Sequence, residues 1–67
     1  MMEHHNFRVR YQVDTRLITT INLSKREVIE FVAGIGGQKV REIYEGERLA
    51  DPETASGILH AAKDYPE

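Results

Sequence analysis

Residues 23–37, LSKREVIEFVAGIGG, carry the clearest structural signal in this chain of 67 residues. Ser24 and Glu27 have the spacing of a capping box, in which each side chain accepts a hydrogen bond from the backbone amide of the other residue. Leu23 lies just before the cap and is placed to pack on Val28, as in a hydrophobic staple. The segment therefore predicts an α-helix capped by Ser24.

The apolar residues of this helix recur at the spacing of an amphipathic helix and form one stripe: Val28, Phe31, Val32 and Ile35. The opposite side is charged and carries Lys25, Arg26 and Glu30. A helix of about three turns is marginal in water when it is isolated. We therefore expect the stripe to pack against a partner surface and the helix to organise the core.

The glycines at the end of this helix, Gly34, Gly36 and Gly37, have two interpretations. Glycine-rich loops bind nucleotide phosphates where they lead into a helix N-terminus, because the free amides and the positive end of the helix dipole point at the anion. Here the glycines follow a helix C-terminus, and the sequence has no G-x-x-x-x-G-K-[ST] pattern. We interpret them as a C-terminal cap and a chain reversal.

The chain before the helix predicts two strands. Residues 7–13 alternate between an apolar set and a polar set, as in a strand with one buried and one wet face. The apolar set is Phe7, Val9, Tyr11 and Val13, and the polar set is Arg8, Arg10 and Gln12. Residues 17–23 are rich in β-branched residues and place Leu17, Thr19, Ile21 and Leu23 on one side. We expect the two runs to pair antiparallel through a short loop at residues 14–16, with the helix on their apolar face.

The chain after the helix predicts a third strand at residues 39–44, with imperfect alternation. Glu42 falls on the side of Val40 and Tyr44, while Ile43 points the other way. An edge strand or a bulged strand tolerates this pattern. Glu45-Gly46 then predicts a turn, and residues 47–49 are expected to return as a short fourth strand.

The last segment predicts a second helix. Asp51 suits the N-cap position and Pro52 the first helical position, and Tyr65-Pro66 ends the helix. The predicted fold is an α+β domain over residues 7–65 with the order β-β-α-β-(β)-α. It contains a three- or four-stranded antiparallel sheet with two helices on one face. Residues 1–6 are predicted to form a disordered N-terminal tail.

Composition excludes several classes of protein. The chain has no cysteine, which excludes a disulfide scaffold and thiol chemistry. Its formal net charge of -2 disfavours nonspecific nucleic-acid binding, although the first half of the chain is mildly basic and the second half is acidic. No segment approaches the roughly 18 apolar residues of a membrane span, and residues 1–7 are too polar for a signal peptide. We therefore expect a cytoplasmic protein with no membrane partner.

No catalytic, cofactor-binding or metal-binding arrangement is predicted. His4 and His5 are adjacent, so they point to opposite sides of an extended chain, and His60 is distant in sequence. Ser56 and His60 share a predicted helix without a third group to orient them. We expect a protein that is not an enzyme and that holds no cofactor and no metal.

The sheet face turned away from the helices is the predicted functional site. Arg8, Arg10 and Gln12, helped by Arg16, are expected to bind a partner protein with an acidic surface, because a guanidinium group pairs with carboxylates through a planar fork of donors. The predicted function is that of a small regulator, adaptor or inhibitor, including the accessory kind that mobile genetic elements encode.

Two alternatives concern nucleic acid and self-association. The same strand pair suits nucleic-acid binding if Tyr11 or Tyr44 faces outward and stacks on bases. The alternation places Tyr11 on the core side, which disfavours that function. For oligomeric state we expect a monomer or a weak homodimer formed through the free sheet face or the second helix.

Overall fold

The computed structural model describes residues 5–65. The elements, in chain order, are β1 (His5–Val13), β2 (Arg16–Thr19), β3 (Leu23–Ser24), α1 (Lys25–Ile35), a 3-10 turn (Gly37–Lys39), β4 (Val40–Glu45), β5 (Arg48–Leu49) and α2 (Pro52–Lys63). All strand pairs are antiparallel. The predicted α+β class, with an antiparallel sheet and two helices, is confirmed.

Strand β1 is the centre of the sheet. It pairs with β4 on one side, and on its other side it pairs first with β3 and then with β2. The main strand order is β2-β1-β4-β5, so β2 and β5 form the two edges. The predicted fourth strand is present as the two-residue β5.

Both helices pack on one face of this sheet. The buried core draws on both helices and on the two central strands, and its members are Phe7, Val9, Val28, Val32, Ile43, Ile58 and Ala62. Tyr11 extends the core, because its ring meets the ring of Phe31 edge-on with centroids 5.0 Å apart. Fully burying a Val or Ile side chain contributes about 1.5–3 kcal/mol, so this small cluster supplies much of the stability.

Both ends of α1 have the predicted chemistry. The Ser24 amide donates to Glu27 Oε1 at 2.9 Å, and the Glu27 amide donates to Ser24 Oγ at 3.2 Å, which completes the capping box. Gly36 has φ 92° and its amide donates to the Val32 carbonyl at 2.8 Å. The glycine ends the helix in a conformation that side-chain-bearing residues rarely adopt.

The predicted second strand is divided in two. The Thr20 amide donates to the Val9 carbonyl at 2.9 Å, while the Val9 amide donates to the Thr20 hydroxyl instead of a backbone carbonyl. The ladder stops there, and the chain resumes pairing at Leu23 as β3. This irregularity separates Leu17, which lies opposite Gln12, from Leu23, which lies opposite Phe7. The expectation that Leu17 and Leu23 share one face is therefore wrong.

Two further features of the sheet differ from the sequence prediction: the position of β4 and the start of β1. β4 is bulged, as the pattern allowed, but it lies inside the sheet between β1 and β5 and is not an edge strand. β1 begins at His5, so His5 and Asn6 belong to the sheet and not to a disordered tail. The Asn6 carbonyl is held there by the Gly46 amide at 2.8 Å. The rest of the predicted tail lies outside the described residues.

Candidate functional site

The sheet face opposite the helices, called the open face below, is built by the side chains that alternate with the core residues. The strand register puts Thr19 and Glu42 beside Arg10, and Tyr44 beside Arg8. Residues directly opposite each other in antiparallel strands share a face. The open face comprises Arg8, Arg10, Gln12, Leu17, Thr19, Arg41, Glu42, Tyr44 and Leu49.

Arg8 and Tyr44 form a stacked pair on this face. The Arg8 guanidinium carbon lies 5.5 Å from the centre of the Tyr44 ring, within the range of a cation–π interaction. A guanidinium nitrogen of Arg8 also donates to the Gly46 carbonyl at 3.3 Å. These contacts fix the position of the cation without neutralising its charge.

Arg10 and Glu42 form an ion pair beside that stack. Arg10 Nη1 lies 3.2 Å from Glu42 Oε1, and the Tyr44 hydroxyl donates to the same carboxylate oxygen at 2.8 Å. Interactions with the Tyr44 side chain, and then with Glu42, raise the pKa of Arg10, which keeps the group cationic. Tyr44 therefore links the two arginines through its ring and through its hydroxyl group.

Gln12 and Arg41 extend the network toward the β1–β2 hairpin. Arg41 donates to Gln12 Oε1 from Nε at 3.0 Å and from Nη2 at 2.7 Å, and its Nη1 donates to the Gln38 carbonyl at 3.0 Å. Gln12 Nε2 in turn donates to the Asp14 carbonyl at 3.0 Å. Arg41 is thus tied to β1 by a forked interaction with one amide oxygen.

A shallow concavity of about 440 Å³ lies between Arg10 and Arg41. Its lining is completed by Gln12, Thr15, Leu17 and Glu42. The guanidinium N–H donors of Arg10 and Arg41 lie on two sides of the concavity, and the Leu17 side chain forms an apolar wall. A protruding carboxylate side chain fits the chemistry of this concavity, because it can accept from both guanidinium groups while its methylene groups contact Leu17.

Three of the four predicted partner-binding residues come together on the open face: Arg8, Arg10 and Gln12. Arg16 does not join them, because the register places it opposite Val13, on the face that bears the helices. The β1–β2 loop consists of Asp14 and Thr15, and this short connection sets that register.

The sequence prediction does not include Arg41, and it includes Tyr44 only as a stacking residue in the nucleic-acid alternative. The sequence does contain a signal of the bulge that turns these side chains outward. Val40 and Ile43 are two apolar residues three positions apart in a strand. Such a spacing indicates a bulge, and the observed register shift between Arg10 and Tyr11 confirms the bulge in β4. With the bulge included, Glu42 and Tyr44 fall on the side opposite Ile43 and face outward.

Two other kinds of feature are absent from residues 5–65. No group of three or more His, Asp or Glu side chains in that range is placed to hold a metal ion. Within the same range, no helix has the length and apolar character needed to cross a membrane. Comparison of the chain with protein-family models, with curated proteins and with solved structures finds no match.

Proposed function

We propose that this chain is a non-enzymatic protein-interaction module of the cytoplasm, a small regulator, adaptor or inhibitor, which binds an acidic partner surface through the open face. The observation that carries the proposal is the pair Arg8 and Arg10, held side by side on a sheet face that neither helix covers. Arginine is enriched among the residues that dominate interface energies.

Pre-organisation of Arg8 and Arg10 supports this proposal. Binding normally costs conformational entropy when long side chains are immobilised. Arg8 is already stacked on Tyr44, and Arg10 is already bonded to Glu42, so less freedom is lost when a partner arrives. Each guanidinium group has five N–H donors, and within the described residues each of these two makes a single hydrogen bond. Most of their donors are therefore available to carboxylates.

The charge of the open face supports the same partner. The charged side chains in its network are Arg8, Arg10, Arg41 and Glu42, a net positive set in a chain whose net charge is -2. Complementary charge speeds encounter and selects among partners more than it adds raw affinity. An acidic partner is thus favoured over a basic one, and the exposed Leu17 and Leu49 add apolar contact at the margins of the face.

Affinity capture from the source-cell lysate tests this proposal. Arg8→Glu with Arg10→Glu reverses the charge at the centre of the open face and is expected to weaken partner capture by about 100-fold or more, the range for losing interface arginines. The readout is the amount of each captured protein, measured by quantitative mass spectrometry.

The matched control is Lys25→Glu with Arg26→Glu on the exposed side of α1, which changes the net charge equally. We expect the control variant to capture the same proteins as the wild type. Thermal unfolding shows that both variants are folded before capture. A double arginine variant that is folded and captures the same proteins at wild-type levels refutes the proposal.

Nucleic-acid binding is the second candidate, and one observation favours it. Tyr44 faces outward on the open face between basic side chains, whereas Tyr11 packs on Phe31. Base stacking on Tyr44 requires Arg8 to move off the ring, and Glu42 opposes phosphate at the same place.

Titration with a fluorescent single-stranded oligonucleotide separates the two functions. A nucleic-acid-binding face gives an affinity that falls steeply with added salt and that decreases by about 10-fold for Tyr44→Ala, since one stacked base contributes about 1–3 kcal/mol. Absence of binding at low salt excludes this candidate.

A further inference from the structure

The two edges of the sheet differ in how they are protected against pairing with another strand. β5 is a two-residue strand next to Glu45, Gly46 and Glu47, and short charged edges resist pairing. β2 has four residues, all exposed. The run from Leu17 to Ile21 at this edge, LITTI, contains no charge, proline or glycine. Such uncharged β-branched edges are the ones that accept another strand.

The backbone of β2 has free hydrogen-bonding groups at defined residues. The Thr20 amide donates to the Val9 carbonyl, and Ile18 lies opposite Tyr11, so Thr20 and Ile18 direct their backbone groups toward β1. Backbone groups alternate sides along a strand. The amides and carbonyls of Leu17 and Thr19 therefore point away from the sheet.

The side chains at this edge are apolar on both faces of the sheet. Leu17 is 52% exposed on the open face, Ile18 is 39% exposed on the helix face, and Ile21, just beyond β2, is 79% exposed. A partner strand laid along β2 would remove apolar surface from water on both faces at once, which favours association.

We propose that β2 is a self-association edge, at which β2 of a second copy of this chain adds antiparallel and makes one continuous sheet. The two-fold axis lies at Ile18. Leu17 of each copy therefore lies opposite Thr19 of the other copy, and these two residues exchange both of their free backbone hydrogen bonds. Ile18 then packs on Ile18 of the second copy in the close, non-hydrogen-bonded position.

Self-complementarity favours a second copy as the occupant of this edge. In the register centred on Ile18, Arg16 lies opposite Thr20 of the second copy, so no like charges meet. The remaining cross-strand pairs, Leu17 with Thr19 and Ile18 with Ile18, are all uncharged and are complementary to themselves, as an isologous contact requires. A two-fold axis normal to the sheet also keeps both open faces on the same side.

The contact is small, because it involves one short strand from each copy. Interfaces below about 1,200 Å² are typical of weak or transient complexes. We therefore expect a dimer that dissociates in the range of about 10 μM to 1 mM.

Sedimentation equilibrium over that concentration range tests the proposal. Thr19→Pro removes the outward amide of Thr19 and leaves the bonds to β1 in place. It is expected to raise the dimer dissociation constant by about 10-fold or more. Thr19→Lys gives the edge a charge, keeps the backbone chemistry intact, and is expected to have the same effect. The control is Leu49→Lys at the opposite edge, which should dimerise like the wild type.

Amide hydrogen exchange provides the second readout. In the dimer, the Leu17 and Thr19 amides are expected to exchange more slowly as protein concentration rises. A wild type that remains monomeric at about 1 mM overturns the proposal. Unchanged dimerisation of both folded Thr19 variants, or loss of the dimer in Leu49→Lys, overturns it as well.

Discussion

Ser24 and Glu27 show how one pair of residues fixes the start of α1. Ser24 is the buried polar residue of the core region, and its hydroxyl and amide both bond to Glu27. His5 Nε2 lies 3.2 Å from the same Glu27 oxygen, so the pair also ties the beginning of β1 to the helix. The hydrogen bond from the Ser24 backbone, then the Ser24 hydroxyl and then the His5 side chain lower the pKa of Glu27.

Removing the cap is expected to destabilise the whole domain. Ser24→Ala deletes the acceptor for the Glu27 amide and is expected to lower the free energy of unfolding by about 1 kcal/mol. Urea unfolding followed by circular dichroism measures the change. Ser56→Ala is the control, because Ser56 is exposed within α2, and it should be neutral or slightly stabilising. Equal effects of the two substitutions would contradict the assigned role of Ser24.

The lowered pKa of Glu27 predicts that the free energy of unfolding depends on pH. Because the folded-state pKa of Glu27 is lowered from its ordinary value of 4.5, its contribution is present above that pH and is lost as the pH falls through the folded-state pKa. Glu27→Gln keeps an acceptor for the Ser24 amide but does not titrate in this range. We expect the wild type to lose more stability than this variant between about pH 6 and pH 2.5, as measured by urea unfolding. Parallel pH profiles would contradict this prediction.

At the scale of elements, the glycines that close α1 have different roles. Gly36 has φ 92°, whereas Gly34 lies within the helix, and an added methyl group at Gly34 would meet nothing within 4 Å. A side chain in the left-handed region is strained, while alanine is favoured over glycine inside a helix. The two glycines are therefore a matched pair for testing the helix end.

Alanine substitution at the two glycines should change stability in opposite directions. Gly36→Ala is expected to destabilise the domain by about 1–2 kcal/mol, and Gly34→Ala is expected to stabilise it by about 0.5–1 kcal/mol. Thermal unfolding of both variants under one buffer condition provides the measurement. If Gly36→Ala is as stable as the wild type, the helix does not end in the conformation described.

The elements also show how far the sequence determines what can be predicted. The capping box, the apolar stripe of α1 and the alternation of β1 depend on local spacing. The structure confirms the capping box and the alternation of β1 up to Gln12, and it buries Val28 and Val32 of the stripe. The break at residues 20–22 and the bulge in β4 depend on pairing between distant segments, such as Thr20 with Val9. Local periodicity carries little information about such pairing.

The dependence on pairing between distant segments also explains which residues of the candidate site could be predicted. Arg8, Arg10 and Gln12 were predictable because they alternate with core residues on one strand. Arg16 was misplaced relative to them, because its face depends on the register set by the hairpin loop. Arg41 was missed, and Tyr44 was named only in the nucleic-acid alternative, because the bulge reverses the alternation on β4.

At the scale of the whole molecule, the sheet separates two tasks. One face and both helices make a small core, and the other face presents a net positive network of hydrogen-bonded side chains. A domain of this size has a small free energy of unfolding, so a substitution that disturbs the core unfolds it readily. The network on the open face lies outside that core. The double substitution at Arg8 and Arg10 should therefore affect partner binding much more than unfolding.

The role of the open face is tested most directly by adding a captured partner to the protein. The arginine side-chain Nε–Hε signals are followed in a ¹H–¹⁵N spectrum during this titration. We predict that the signals of Arg8 and Arg10 shift in proportion to bound partner, whereas Arg26 on the outer side of α1 does not respond. Shifts of Arg26 with unchanged signals from Arg8 and Arg10 would contradict the account, because they would place the partner on the helices.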